Sequence, residues 1–210
     1  MVFVVAHLLG NLQIFLGPEW MNAYAQHLRD LPLLLWPMRV LLVSALFMHM
    51  ATGLWLGAEN LRARPVRYAV SATVQATVTS RTMVPLGLAV FLFIVYHLLH
   101  FTFGTVDPAI AHLTDGKGRE DVYSMVVMGF QDRTVVAVYV LAMFMLGAHL
   151  RHGAYSFLQT LGVLNESSLP WAKRCALVFA ALVFLGYSSI ALACHAGWLE
   201  PLGRGALHGA

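Results

Sequence analysis

Four histidines, His7, His49, His97 and His149, each lie inside a separate run of apolar residues. A neutral imidazole is a good ligand for iron and a poor neighbour for a lipid tail, so its presence in such a run asks for a functional reason. Two haems, each gripped by two histidines from different helices, would supply one. Zinc, or iron without a porphyrin, would want three or four ligands at one depth, preferably with carboxylates. The runs that hold these histidines carry no Asp or Glu.

The rest of the chain must place these side chains in a membrane. With 59% hydrophobic and 11% charged residues in 210, and a mean hydropathy of +0.71, the composition is that of an integral membrane protein. The formal charge of +3 is small. Its basic residues sit between apolar runs and form no face with interleaved aromatics, which excludes a nucleic-acid partner. Cys175 and Cys194 both fall in the last run without the paired spacing of iron-sulfur or zinc ligation, and read as small packing residues.

A spanning helix needs about 20 mostly apolar residues. Five segments answer to that pattern, at about 1–16, 34–58, 83–104, 134–153 and 171–198, the fourth with a possible extension to Leu164. The expectation is an all-α integral membrane protein, one domain over 1–210, with five transmembrane helices in a bundle around two stacked haems. The first segment begins apolar with no basic stretch ahead of it. It therefore reads as a spanning helix short of its first turns and not as a cleaved signal peptide.

Basic residues near the span ends set the orientation. The connections after spans two and four hold Arg62, Arg64, Arg67, Arg81, Arg151, Lys173 and Arg174; the other two hold Arg29, Arg39, Lys117, Arg119 and Arg133. Seven against five puts the connections after spans two and four in the cytoplasm and the C-terminus outside. Depth then follows at 1.5 Å per residue. His49, 13 residues after Trp36, and His149, 15 after Thr134, both lie about 20 Å below the outer boundary. His97, 14 residues after Met83, lies about 21 Å above the inner one. His49 and His149 share an inner level, His97 belongs to an outer one, and His7 joins it by elimination.

Each of these features has a plainer reading. A lone intramembrane histidine often serves as an interhelical hydrogen-bonding residue. His100 and His152 follow His97 and His149 by three residues and face nearly the same side of a helix, so spacing alone permits either member of each pair as the ligand. His27, His112 and His208 read as solvated, and His195 as interfacial. Gly10, Gly53, Gly147 and Gly153 could open a slot for a flat macrocycle or pack helices together. Met48, Met50, Met143 and Met145 read as core filling. The arginines at the cytoplasmic ends read mainly as topology signals, with haem propionates as an alternative partner.

Several stretches bear a wider likeness. Ala6-His7-Leu8-Leu9-Gly10-Asn11, Met48-His49-Met50-Ala51-Thr52-Gly53, Tyr96-His97-Leu98-Leu99-His100-Phe101 and His149-Leu150-Arg151-His152-Gly153-Ala154-Tyr155-Ser156-Phe157 occur in this order. With the loop Asp121-Val122-Tyr123-Ser124-Met125-Val126-Val127, they resemble the dihaem cytochrome b subunit of bacterial succinate:quinone oxidoreductases and quinol:fumarate reductases. In that family each of the first four helices gives one axial histidine. The resemblance thus selects His7, His49, His97 and His149 over their neighbours.

It further implies a proximal haem b on His49 and His149 beside a peripheral iron-sulfur subunit, and a distal haem b on His7 and His97. A flavoprotein partner with FAD would carry the succinate and fumarate chemistry. This chain would be anchor, electron wire and part of a quinone site, with menaquinone the expected quinone and the bacterial cytoplasmic membrane the location. The quinone-binding residues are not legible. His100 and His152 remain candidates for proton handling or haem support. Competing readings are a cytochrome b subunit of another respiratory complex, such as a formate dehydrogenase or nitrate reductase, and a haem-free transporter or anchor with histidine proton relays.

Overall fold

A computed structural model describes residues 1–63 and 81–203; Arg64, Arg67 and His208 lie outside the described residues. Among the described residues the chain is helical throughout, apart from an isolated bridge between Thr114 and Glu120. Helix α1 (Val2–Leu12) runs into a 3-10 turn (Gln13–Leu16). There follow α2 (Pro18–Arg29), α3 (Pro32–Arg62), α4 (Met83–His97) with a π-helical turn (Leu98–Thr102), α5 (Val122–Gly129), α6 (Arg133–Thr160) and α7 (Leu169–His195).

Among the described residues four helices are long and apolar enough to cross a membrane: α3, α4 with its π turn, α6 and α7. They correspond to the second to fifth expected spans, with α6 carried on to Thr160. The first expected span, read as short of its first turns, is helical over Val2–Leu16 but below spanning length. Val2–Leu16 would rise about 22 Å at 1.5 Å per residue, against roughly 30 Å of hydrocarbon.

Two helices occupy segments that read as connections. Gly17, at φ 100°, turns the chain out of the 3-10 turn, and Pro18 starts α2 with the φ a first helical residue needs. Glu19 stands in its first turn and His27 and Arg29 in its last, matching the helix dipole. Helix α5 replaces the expected loop at 121–127 because Asp121 caps it, accepting from the Ser124 amide at 3.0 Å. The same carboxylate oxygen accepts from Asn22 Nδ2 at 2.9 Å, and the Tyr123 amide donates to Asn22 Oδ1 at 2.9 Å. These buried bonds tie α2 to α5, and the Leu202 amide, donating to Ser124 Oγ at 2.8 Å, draws in the chain after α7. Outside them Glu19 accepts from Lys117 and Arg119, and Arg29 pairs with Glu120.

This capped end holds the densest core, in which Ile14, Met21, Tyr123, Val127, Phe130, Tyr139, Ile190 and Cys194 pack together. Below it α6 and α7 form the most extensive helix pair. Their backbones approach at Gly147, where a Cβ would lie 3.4 Å from the Ala180 carbonyl oxygen. Helix α1 runs along α7, with Leu8 against Gly186 and the Tyr187 hydroxyl donating to the Val4 carbonyl at 2.8 Å. Helix α3 stands apart: none of its 31 residues is buried. It meets α4 near Gly57 and Val84.

Two consequences are measurable. Asp121→Ala removes an N-cap and strands the buried Asn22 amide, for an expected loss of about 2–4 kcal/mol. Thermal unfolding in detergent, with proteolysis of the 104–121 connection as a local probe, should register it. The Arg119 and Lys117 hydrogen bonds hold the Glu19 carboxyl at about 2, below its ordinary 4.5. Its contribution is therefore complete above pH 4.5 and fades as the pH falls toward 2. Amide exchange in α2 should be unchanged, after correction for intrinsic rates, from pH 7 to 5. It should rise below pH 4, and Glu19→Gln should flatten that dependence.

Candidate functional site

The structure brings the four sequence-predicted histidines together as two facing pairs on four helices. His7 of α1 meets His97 at the end of α4 with ring centroids 5.9 Å apart and planes at 81°. His49 of α3 meets His149 of α6 at 5.8 Å and 89°. These are the partners expected from counted depth. Two imidazoles on opposite sides of one metal ion, at about 2 Å per metal–nitrogen bond, would put their centroids about 6 Å apart.

Two rulers give the separation of the pairs along the bundle. His149 touches α4 at Gly87, and His97 follows ten residues later. His97 touches α6 at Tyr139, and His149 follows ten residues later. Either count corresponds to roughly 15 Å. The His7–His97 pair lies toward the capped end and the His49–His149 pair toward the other.

Each ring has its own surroundings. His7 stacks on Phe3 at 5.3 Å and lies 6.0 Å from the Tyr187 ring, while Asn11 Nδ2 donates to the His7 carbonyl at 2.7 Å. Nδ1 of His97 lies 3.3 Å from the Tyr139 hydroxyl. His149 fits against Gly87, where a Cβ would come within 3.3 Å of Cε1; its Nδ1 is buried without a hydrogen-bond partner among the described residues. His49 is exposed on the free-standing α3.

The neighbours that spacing could not separate are sorted by local geometry. His100 lies on the π turn that follows His97. It is 3% exposed, stacks on Phe101 at 4.0 Å, and has Nδ1 3.1 Å from the Tyr139 hydroxyl. His152 has both ring nitrogens engaged on its own helix, by the Tyr155 hydroxyl at 2.8 Å and Ser156 Oγ at 3.2 Å. His195 is exposed, with Nδ1 3.1 Å from the Gln131 carbonyl. His112 is exposed in a turn, and His27 is exposed but helical, part of α2.

Of the glycines read as slot formers, Gly147 packs helices and Gly10 meets the Tyr24 ring, whereas Gly53 and Gly153 face nothing within 4 Å. Among the described residues Gly87 lies against His149 and Gly129 against Phe101 and His100; sequence reasoning passed over both. Tyr139 was missed as well; a hydroxyl in the apolar first half of α6 was the available signal. Cys194 is buried as expected, whereas Cys175 is exposed. Lys173 and Arg174 rest over the rings of Tyr155 and Trp171 at the end opposite the cap. An apolar groove of about 570 Å³ opens between α1 and the facing ends of α6 and α7, and no histidine lines it.

Among the described residues no group of three or more His, Cys, Asp or Glu converges on a point. Each pair thus offers two axial nitrogens. That donor set suits a metal whose remaining positions are filled by a macrocycle, and the ring spacing fits a haem iron. Comparisons with protein-family models, with curated proteins and with solved structures found no match to this chain.

Proposed function

We propose that this chain is the dihaem cytochrome b anchor of a succinate:quinone oxidoreductase or quinol:fumarate reductase. It would carry electrons between an iron-sulfur subunit and a membrane quinone, menaquinone by resemblance. The observation that supports this reading best is the double pairing: four imidazoles from four helices, in two couples at nearly 6 Å and two depths. Haem b, when bound at each couple, would supply a one-electron relay step.

The chain's own residues hold and space those groups. His49 and His149 would hold the inner group, and His7 and His97 the outer. Their burial and hydrogen bonds would tune the potentials. The exposed α3 fits the same reading, since a helix with no buried residue still aims His49 at His149. Arg62, Arg81, Arg151, Lys173 and Arg174 lie toward the inner end, making it the cytoplasmic docking face for the iron-sulfur subunit in a bacterial cytoplasmic membrane. The capped end and the C-terminus then face outside. Succinate and fumarate chemistry belongs to a flavoprotein partner carrying FAD. Were quinone to react near the outer level, electron transfer across the membrane would couple to its potential, at about 2.3 kcal/mol per charge per 100 mV for a full crossing.

One observation favours a haem-free reading: the Tyr139 hydroxyl between His97 and His100 resembles a proton relay. A reduced-minus-oxidised optical spectrum of the purified complex separates the two. A b-type signal is expected, and its absence would end the haem reading. Flavoprotein and iron-sulfur genes beside this one are expected, and a molybdenum-enzyme gene in their place would favour another respiratory complex. His97→Ala should remove the outer haem and spare the inner, with the reverse for His49→Ala. Gly87→Leu should push the His149 ring aside and lower inner-haem content, while Gly53→Ala should leave both haems in place.

A further inference from the structure

Tyr139 is a buried phenol, 7% exposed, on a helix face that otherwise packs apolar residues. Its ring is held edge-on by Phe93 and Phe130, each at 4.9 Å. Its hydroxyl lies between two imidazoles of α4, 3.3 Å from His97 Nδ1 and 3.1 Å from His100 Nδ1. Both imidazoles reach one hydroxyl, His97 from the last residue of α4 and His100 from the π turn that follows it. At the other level the His149 Nδ1 is buried and has no partner among the described residues.

A hydroxyl between two imidazole nitrogens has a direction. If His97 binds metal through Nε2, its Nδ1 must carry the proton and donate to the Tyr139 oxygen. The phenol proton then points to His100 Nδ1, which accepts, so His100 keeps its own proton on Nε2. The opposite direction would place a proton on His97 Nε2 and block ligation. The three groups thus make one ordered chain, from His97 through Tyr139 to His100. A ligand that donates a hydrogen bond from its outer nitrogen becomes a stronger base toward the metal, which favours the ferric state.

We infer that Tyr139, backed by His100, is a positioning residue that fixes the tautomer of His97 and lowers the reduction potential of the outer haem relative to the same ligand pair without it. The inference rests on the haem reading above.

The test is a redox titration of the intact purified complex, followed optically and by the low-spin ferric EPR signals. The outer haem is assigned by its loss in His97→Ala. In Tyr139→Phe both haems should remain, the outer midpoint should move positive and the outer EPR signal should shift, with the inner haem unmoved. His100→Leu leaves the phenol without its acceptor and should move the outer midpoint the same way by less. Two bound haems with the outer midpoint unmoved in Tyr139→Phe, or with both midpoints moved equally, would overturn the inference and leave the haem reading standing. A wild-type complex without b-type haem would remove the reading and the inference together. If Tyr139→Phe sheds the outer haem, His100→Leu decides: a positive shift supports the inference and an unmoved midpoint overturns it.

Discussion

A neutral imidazole brings one donor and one acceptor into a medium that can satisfy neither, and an unmet buried polar group costs about 1–3 kcal/mol. Four such side chains, three of them on helices long and apolar enough to cross a membrane, impose a condition on the bundle: their faces must turn inward and meet. The observed arrangement satisfies it pairwise. His7 on α1 faces His97 on α4, and His49 on α3 faces His149 on α6. Because α4 and α6 run antiparallel, with Gly87 opposite His149 and His97 opposite Tyr139, a pair near one end of α4 falls near the other end of α6. Two levels follow from helix direction alone. Helix α7 bears no member of either pair and serves as the packing partner of α1 and α6, its buried face rich in Ala176, Ala180, Ala191 and Ala193.

Packing is uneven along the molecule, and the unevenness tracks the two levels. At the capped end the Asn22 and Asp121 network holds α2 and α5 over the bundle, and the core there includes Tyr139, which touches His97. The outer pair is therefore braced by elements that do not cross the membrane. At the inner level His149 rests on a packed helix, but His49 projects from α3, which has no buried residue. One partner of that pair is fixed by protein contacts and the other by little besides the site itself. A group held between them would act as a strut as well as a redox centre.

What could be read from the sequence was whatever depends on counting. Span positions, antiparallel alternation and the partnership of His49 with His149 follow from a rise of 1.5 Å per residue and from which segments are apolar. What could not be read depends on departures from regular winding and on contacts far apart in the chain. Nothing in the sequence marks the π turn at Leu98–Thr102, and three-residue spacing left His97 and His100 on one face, where both reach the Tyr139 hydroxyl. Helix α5 read as a loop because its cap is completed by Asn22, 99 residues away. Gly87 carried no motif; its role exists only because His149 lies across from it.

The same two-imidazole donor set at two levels raises the question of how they would differ in potential, since ligand type cannot distinguish them. The remaining levers are hydrogen bonding to the ligands and the polarity of their surroundings. Here the levels diverge. Nδ1 of the outer His97 lies against a phenol caged by aromatic rings, whereas the inner His149 has an Nδ1 without a partner among the described residues and faces an exposed His49. The phenol favours the oxidised state outside. Inside, the absence of a comparable bond withdraws that bias, while exposure of His49 to lipid, or to a subunit docked against α3, sets the local polarity. On the proposed reading, difference in potential arises from Tyr139 and from what covers α3, and the histidines themselves only fix where the electron can rest.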